Sequence, residues 1–295
     1  MKCEKCEEKA IITNPPRCKK HFNEYFLETL QETIDEFHLF TKEDKLVVAV
    51  SGGKDSLALL HSLKKLGYDP EGIFIDEGIK NYREKSIEDL NLFIQQNSLK
   101  LKKISFEEEN NFTLDEAMTT KQFHACMICG TLRRYLLNKY TKEFDVLATG
   151  HNMDDEAQTV LINLARANTE LLLRGGPKSE PKKSFTQKVK PFYYLTEKQI
   201  LTYTLINNIR VDYGECPYAY TSYRAKVRDL LNKEENEHPG TKKNILKNYL
   251  LLKKRIHTEK SIVKVQRCVL CGEASKEKIC KACQIKKQIL SKKNS

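Results

Sequence analysis

Between residues 46 and 167 the chain alternates two hydrophobic rhythms. LVVAV at 46–50 is an unbroken, valine-rich run, the mark of a parallel strand buried on both faces. LALLHSLKKLG follows, with apolar residues at helical spacing and Gly67 as its stop. The alternation then repeats: EGIFIDE predicts a second strand, REKSIEDLNLFIQQ a helix, LKKISF a third strand, and DVLATG a fourth that leads to the helix TVLINLARAN. Strand and helix in turn predict an α/β fold built on a doubly wound parallel sheet, whose ligands sit beyond the carboxyl ends of the strands.

Two polar segments fall at those ends. SGGKDS at 51–56 joins the first strand to its helix, so backbone N–H groups and the positive helix end surround an anion there. Gly52 and Gly53 let the backbone approach a phosphate closely, Lys54 reaches its oxygens, and Ser51 and Ser56 add hydroxyl donors. The segment is not a Walker A loop, because GxxxxGK[ST] is absent. GHNMDDEAQ at 150–158 closes the fourth strand and faces the same crevice. Its Asp154 and Asp155 suit Mg²⁺, which takes only one or two carboxylates, while helix capping is the structural alternative for one of them.

Cysteine usage adds metal chemistry. Ten cysteines without an export signal argue for ligation or catalysis rather than a disulfide framework. Cys3-x2-Cys6-x11-Cys18-x2-His21 and Cys268-x2-Cys271-x8-Cys280-x2-Cys283 each form two knuckles, enough to close a tetrahedral zinc shell with no position left for substrate. Three thiols remain: Cys126 and Cys129 in CMICG, and Cys216 in ECPY. Three thiolates are one short of structural zinc, so either a nonprotein ligand fills the fourth place or the cysteines react themselves.

SGGKDS after a strand, together with GHNxDDEAQ, resembles the PP-loop ATP pyrophosphatases, which adenylate an acceptor with release of pyrophosphate. CMICGTLRR between those motifs, the third cysteine in ECPY and the terminal knuckles narrow the resemblance to the tRNA 2-thiolation enzymes, from Cys3 to Cys283. The resemblance implies a catalytic set of Lys54, Asp55, Arg133 and Asp155. It implies nucleotide binding by Ser51, Gly52, Gly53, Lys54, Asp55, Ser56, Gly150, His151 and Asp154. It also implies a [4Fe-4S] cluster (or [3Fe-4S]) on Cys126, Cys129 and Cys216, whose open iron carries sulfur; a persulfide exchanged between Cys126 and Cys216 is the rival, and gives Cys129 no role. ATP, Mg²⁺ and two Zn²⁺ complete the cofactors. The implied reaction adenylates the uracil 2-oxygen and then delivers sulfur to that carbon.

Cys18-x2-His21, SGGKDSLAL and VKPFYYLTEKQI resemble the enzymes of the T-loop uridine. Arg133, which replaces a lysine usual in that group, with RRYLLN, CPYAYTSYRAKVRDLLN and HPGTKKNIL, resembles the wobble-uridine group and tips the expectation to it. The other readings are an amidating PP-loop enzyme acting on a small molecule and a non-enzymatic zinc protein that binds RNA. Implied partners are tRNA and a sulfur donor, either a ubiquitin-like protein thiocarboxylate or sulfide, with a homodimer left open.

Charge and length agree with this outline. Lys and Arg exceed Asp and Glu by 51 to 40, a net +11, with basic residues concentrated in KNILKNYLLLKKRIHTEK and KKQILSKKNS. Such runs are either solvated faces or phosphate-backbone contacts. No run approaches the ~20 apolar residues that cross a bilayer, and MKCEKCEEKA lacks a signal peptide's apolar core, so a cytoplasmic protein away from membranes is expected. The expected order is an N-terminal zinc module at 1–25, the PP-loop domain at 26–215, a helical, basic, tRNA-contacting extension at 216–262 and a C-terminal zinc ribbon at 263–295.

Overall fold

A computed structural model of the chain describes residues 1–13, 15–181, 184–214, 216–218, 223–256 and 265–293. Parts of the expected extension, 219–222 and 257–262, and its boundary at 262–263 lie outside the described residues. Five parallel strands form the central sheet in the spatial order Leu101–Ser105, Glu71–Asp76, Leu46–Val50, Val146–Thr149 and Gln187–Val189. From Leu46–Val50 the chain builds outward to one edge, then returns to pair Val146–Thr149 on the other side. The strand order therefore reverses between these two strands, where diverging loops open a crevice.

Alternation along each strand separates two cores. Val48 and Val50 face the helices Lys19–Glu36, Lys54–Lys65 and Glu197–Ile206, packing with Phe22, Phe26, Leu57, Ile200 and Tyr203. Phe26 and Tyr203 stack with ring centroids 4.0 Å apart. Burying such a side chain fully contributes about 1.5–3 kcal/mol. Val47, Ile73 and Ile75 face the other way, against Ile128, Leu132 and Leu136 of the helix Ala125–Tyr140. The C-terminal helix Lys281–Lys293 lays Ile285 and Ile289 into this second core. In a third cluster, Val227 and Leu231 of Tyr223–Glu237 and Leu246 and Tyr249 of Thr241–Arg255 pack on Met153, Ala157 and Val160 of Met153–Ala165.

The doubly wound parallel sheet stands as expected, with Gln187–Val189 added at one edge. Its pattern is polar and three residues long, so hydrophobic rhythm alone does not reveal it. The helix Lys19–Glu36 runs unbroken from the N-terminal knuckle into the first core, across residues 25 and 26. No helix among the described residues is long and apolar enough to cross a membrane.

Candidate active site and metal centres

SGGKDS and GHNMDDEAQ meet at the reversal point. A Cβ on Gly150 would come within 2.9 Å of the Asp55 carbonyl carbon, so only glycine lets the two loops approach this closely. Gly52 adopts φ +80°, a left-handed turn that leaves Gly53 as N-cap of the helix Lys54–Lys65. No side chain caps that helix, so its first N–H groups stay available to an anion. Ser56 is buried and braces the loop: its Oγ accepts from the Ser51 N–H at 3.1 Å and donates to the Gly53 carbonyl at 3.0 Å. Its hydroxyl thus supports the loop from within.

Charged side chains line the crevice. Lys54 Nζ donates to Glu197 Oε1 at 2.8 Å and to Asp55 Oδ2 at 3.2 Å. Burial opposes its charge, yet Asp55 and Glu197 raise its pKa above the usual lysine value. Asn152 Nδ2 donates to Asp55 Oδ1 at 3.2 Å. Asn152 also caps Met153–Ala165 in a reciprocal box with Asp155, whose Oδ1 accepts from Arg224 Nη1 at 3.3 Å. Burial, then the Asp155 charge, hold Asp55 above the ordinary carboxylate value; burial, then Glu197 and Asp154, do the same for Asp155. Both carboxylates meet Asn152, which gathers at one point the hard oxygen donors that Mg²⁺ takes. Gly150 lies against the Asp55 backbone, and His151 Nδ1 is 2.9 Å from Thr149 Oγ1.

Asp154 is placed differently from its neighbour. It is buried, ion-paired with buried Lys242, and its Oδ2 accepts from the Glu197 N–H at 2.8 Å. Both oxygens are thus engaged in holding the helix Thr241–Arg255 and the start of Glu197–Ile206 against the crevice. Lys242 Nζ also donates to Asn232 Oδ1 at 2.6 Å.

CMICG begins the helix Ala125–Tyr140, with His124 as N-cap, so Cys126 and Cys129 lie one turn apart at a positive helix end. Cys126 is exposed, and Cys129 and Cys216 are half-buried. Three soft thiolates, one short of a closed four-sulfur shell, suit an iron–sulfur group. Burial, then the Glu77 carboxylate, push the Cys129 thiol up to about 11 against the pull of Arg133. Arg133 Nη2 lies 3.3 Å from Cys129 Sγ and also reaches Glu77 Oε1.

The terminal sets fit zinc. Zn–S bonds of about 2.3 Å in a tetrahedron place sulfurs about 3.8 Å apart. Cys6 and Cys18 are 3.7 Å apart, as are Cys271 and Cys280, far beyond disulfide length. His21 presents Nδ1 to Cys3 and Cys18 at 3.3 and 3.4 Å. Cys268 and Cys283 complete the second set. Cys268, Cys280 and Cys283 also belong to the second core, so this knuckle is packed beside the helix that carries Cys126 and Cys129.

Glu77, Arg83, Asn152, Glu197, Arg224 and Lys242 are parts of the site that sequence reasoning missed. Asn152 lies inside GHNMDDEAQ, and Glu77 had a readable signal too, an acidic residue just beyond the carboxyl end of a strand.

Comparison with known proteins decides the family. A PP-loop domain profile matches residues 21–235. The tRNA-5-methyluridine(54) 2-sulfurtransferase of Pyrococcus horikoshii is 37% identical, spanning 100% of this chain and 97% of its own. The chain belongs to the PP-loop family of tRNA 2-thiolation proteins. The cytoplasmic tRNA 2-thiolation protein 1 of Candida glabrata is 32% identical over 96% of this chain and 85% of its own. The U34-tRNA thiolase NcsA from Methanococcus maripaludis, solved with its [4Fe-4S] cluster, superposes with a TM-score of 0.82 at 28% identity, over 97% of this chain and 96% of that one. The PP-loop motifs and the enzyme class expected of this 2-thiolation protein therefore stand.

Proposed function

We propose that this protein replaces the 2-oxygen of a tRNA uridine with sulfur in an ATP-dependent reaction. The observation that supports the reading is the link between the nucleotide loop and Cys129. Ser51 and Cys129 are connected through only three side chains, Arg83, Glu77 and Arg133.

ATP lies on SGGKDS in this reading, with the free N–H groups of the helix Lys54–Lys65 on its phosphates. Lys54 exchanges Glu197 and Asp55 for phosphate oxygens, and Asp55 with Asp155 holds Mg²⁺. The uracil 2-oxygen attacks the α-phosphorus, the bond to pyrophosphate breaks, and Lys54 offsets charge on the leaving pyrophosphate. Sulfur then bonds to carbon 2 and the carbon–oxygen bond breaks, so AMP leaves with the original oxygen. Cys126, Cys129 and Cys216 would hold a [4Fe-4S] group, which would supply a site for sulfide to bind. Arg133 keeps positive charge beside Cys129, and the half-buried setting limits water. The two knuckles hold one Zn²⁺ each and steady the ends of the protein. The basic helix Thr241–Arg255, ending in Lys253, Lys254 and Arg255, offers phosphate contacts to tRNA.

The wobble uridine is the favoured target, on Arg133 and the RRYLLN, CPYAY and HPGTKK segments. The T-loop uridine is the second reading, supported by the 37% identity to the Pyrococcus horikoshii enzyme. Mass spectrometry of tRNA nucleosides from cells lacking this protein, mapped by position, tests both. Loss of 2-thiouridine at position 34 is expected; loss at 54 alone selects the second reading, and intact thiolation overturns the function.

A further inference from the structure

Glu77 is fully buried just past the strand Glu71–Asp76, which neighbours the strand that opens into SGGKDS. Its backbone is held by the Leu114 N–H, which donates to the Glu77 carbonyl at 2.7 Å. The next residue, Gly78, adopts φ +68°, where a Cβ would come within 2.7 Å of the Thr113 side chain. A carboxylate buried this deeply is costly unless opposite charge and hydrogen bonds surround it. Two guanidiniums do so. Arg83 Nε donates to Glu77 Oε2 at 2.6 Å, and Arg133 Nη2 reaches Oε1.

Each guanidinium also has a second task. Arg83 Nη1 donates to the Ser51 carbonyl at 2.8 Å, and on the same helix the Ser86 side chain would meet a Cβ on Gly52 at 3.1 Å. Arg133 Nη2 lies 3.3 Å from Cys129 Sγ. Arg133 Nε is buried with no hydrogen-bond partner. Two cations and one carboxylate leave a single positive charge beside Cys129, complementary to an anionic sulfur.

We propose that Glu77 is a positioning residue for sulfur transfer: its carboxylate grips Arg83 on the nucleotide side and Arg133 on the thiol side, and so holds Cys129 in register with bound ATP. This rests on the reading that SGGKDS binds ATP and that Cys129 belongs to the sulfur site. Glu77 touches no reactant; it acts through the two arginines.

The test compares full-length wild type, Glu77→Gln, Arg83→Lys and the double variant. Three readouts are taken: ATP dissociation from cluster-free protein by calorimetry, absorption and EPR of the reconstituted iron–sulfur protein, and kcat and KM for thiolation of a tRNA transcript. Glu77→Gln keeps the size and one acceptor but releases Arg133. Its ATP affinity should stay within about twofold while kcat per metal-loaded protein falls roughly ten- to hundredfold and the EPR signal shifts. Arg83→Lys should weaken ATP binding and lower kcat, because lysine lacks the fork that spans Glu77 and Ser51. The double variant should be no worse than the poorer single, as for residues acting in one unit. Wild-type kcat and EPR in Glu77→Gln overturn the proposal, as does a lowered melting temperature with unchanged kcat per loaded protein. If Glu77→Gln fails to fold, Arg83→Lys decides alone, and wild-type ATP affinity with wild-type kcat overturns it. A wild-type protein that thiolates no tRNA would overturn the function instead, and the calorimetric and EPR comparisons would still judge Glu77.

Discussion

Replacing Lys242 by methionine should destabilise this protein through a residue 88 positions away. Lys242 and Asp154 are both buried and form an ion pair between the start of Thr241–Arg255 and the first turn of Met153–Ala165. Removing one partner leaves the other charge buried without compensation, which costs about 3–5 kcal/mol, or roughly 6–20 °C in melting temperature for a domain of this size. Asp154→Asn should lose stability in the same way. The double variant, Asp154→Asn with Lys242→Met, should recover most of it, because an uncharged pair removes the desolvation cost as well as the attraction. The asparagine side chain at 154 can still accept from the Glu197 N–H, which Asp154 Oδ2 now does at 2.8 Å. Urea unfolding of all four proteins gives the cycle, in which the single losses should sum to about 4 kcal/mol or more beyond the double variant's loss. Single variants within about 0.5 kcal/mol of wild type, or additive losses, would refute the buried-pair reasoning. A double variant that is stable yet has lost ATP affinity would make Asp154 a magnesium ligand.

Three further outcomes are expected. Lys54→Ala should reduce pyrophosphate release and thiolation by two or more orders of magnitude, about 3 kcal/mol in the barrier, while zinc and iron contents stay at wild-type levels; wild-type adenylation kinetics would remove SGGKDS as the nucleotide site. Cys3→Ser and Cys268→Ser should each lower bound zinc by about one equivalent and lower the unfolding midpoint, as metal analysis with thermal melts will show; unchanged zinc in both would refute the knuckles. Stability should fall on acidification: burial, then Lys65, lower His61 from 6.5 to about 4, so between those values the unfolded chain binds the proton and the folded one does not. The contribution of neutral His61 is complete above pH 6.5 and is lost toward pH 4, a change of order 2–3 kcal/mol that His61→Gln should flatten in pH-resolved urea titrations.

Much of the site is legible where function and local pattern coincide. LVVAV before SGGKDS predicts a buried strand, a turn and a helix from adjacent residues alone, and the close approach at Gly150 explains why glycine begins the second motif. The knuckles are readable because two-residue spacing is itself the ligand geometry. What stays hidden is set by distant packing. That the Ser56 hydroxyl also braces the loop through Ser51 and Gly53 is visible only in the fold. The adjacent Asp154 and Asp155 are equal in the sequence, and Lys242, far along the chain, pairs with the buried Asp154 while Asp155 is more exposed and meets Arg224. Glu77 and Arg83 gain their meaning from Arg133, which lies 56 positions beyond Glu77.

The most direct test of the central claim uses purified protein under strict anaerobiosis, with ATP, Mg²⁺, sulfide and an unmodified tRNA transcript, followed by nucleoside mass spectrometry. Wild type reconstituted with iron and sulfide should form 2-thiouridine and one AMP per sulfur inserted. Cys129→Ala should hold little iron, form no 2-thiouridine and still release pyrophosphate, because the nucleotide loop is separate from the thiols. An iron-free Cys129→Ala protein that thiolates tRNA at the wild-type rate would contradict the account.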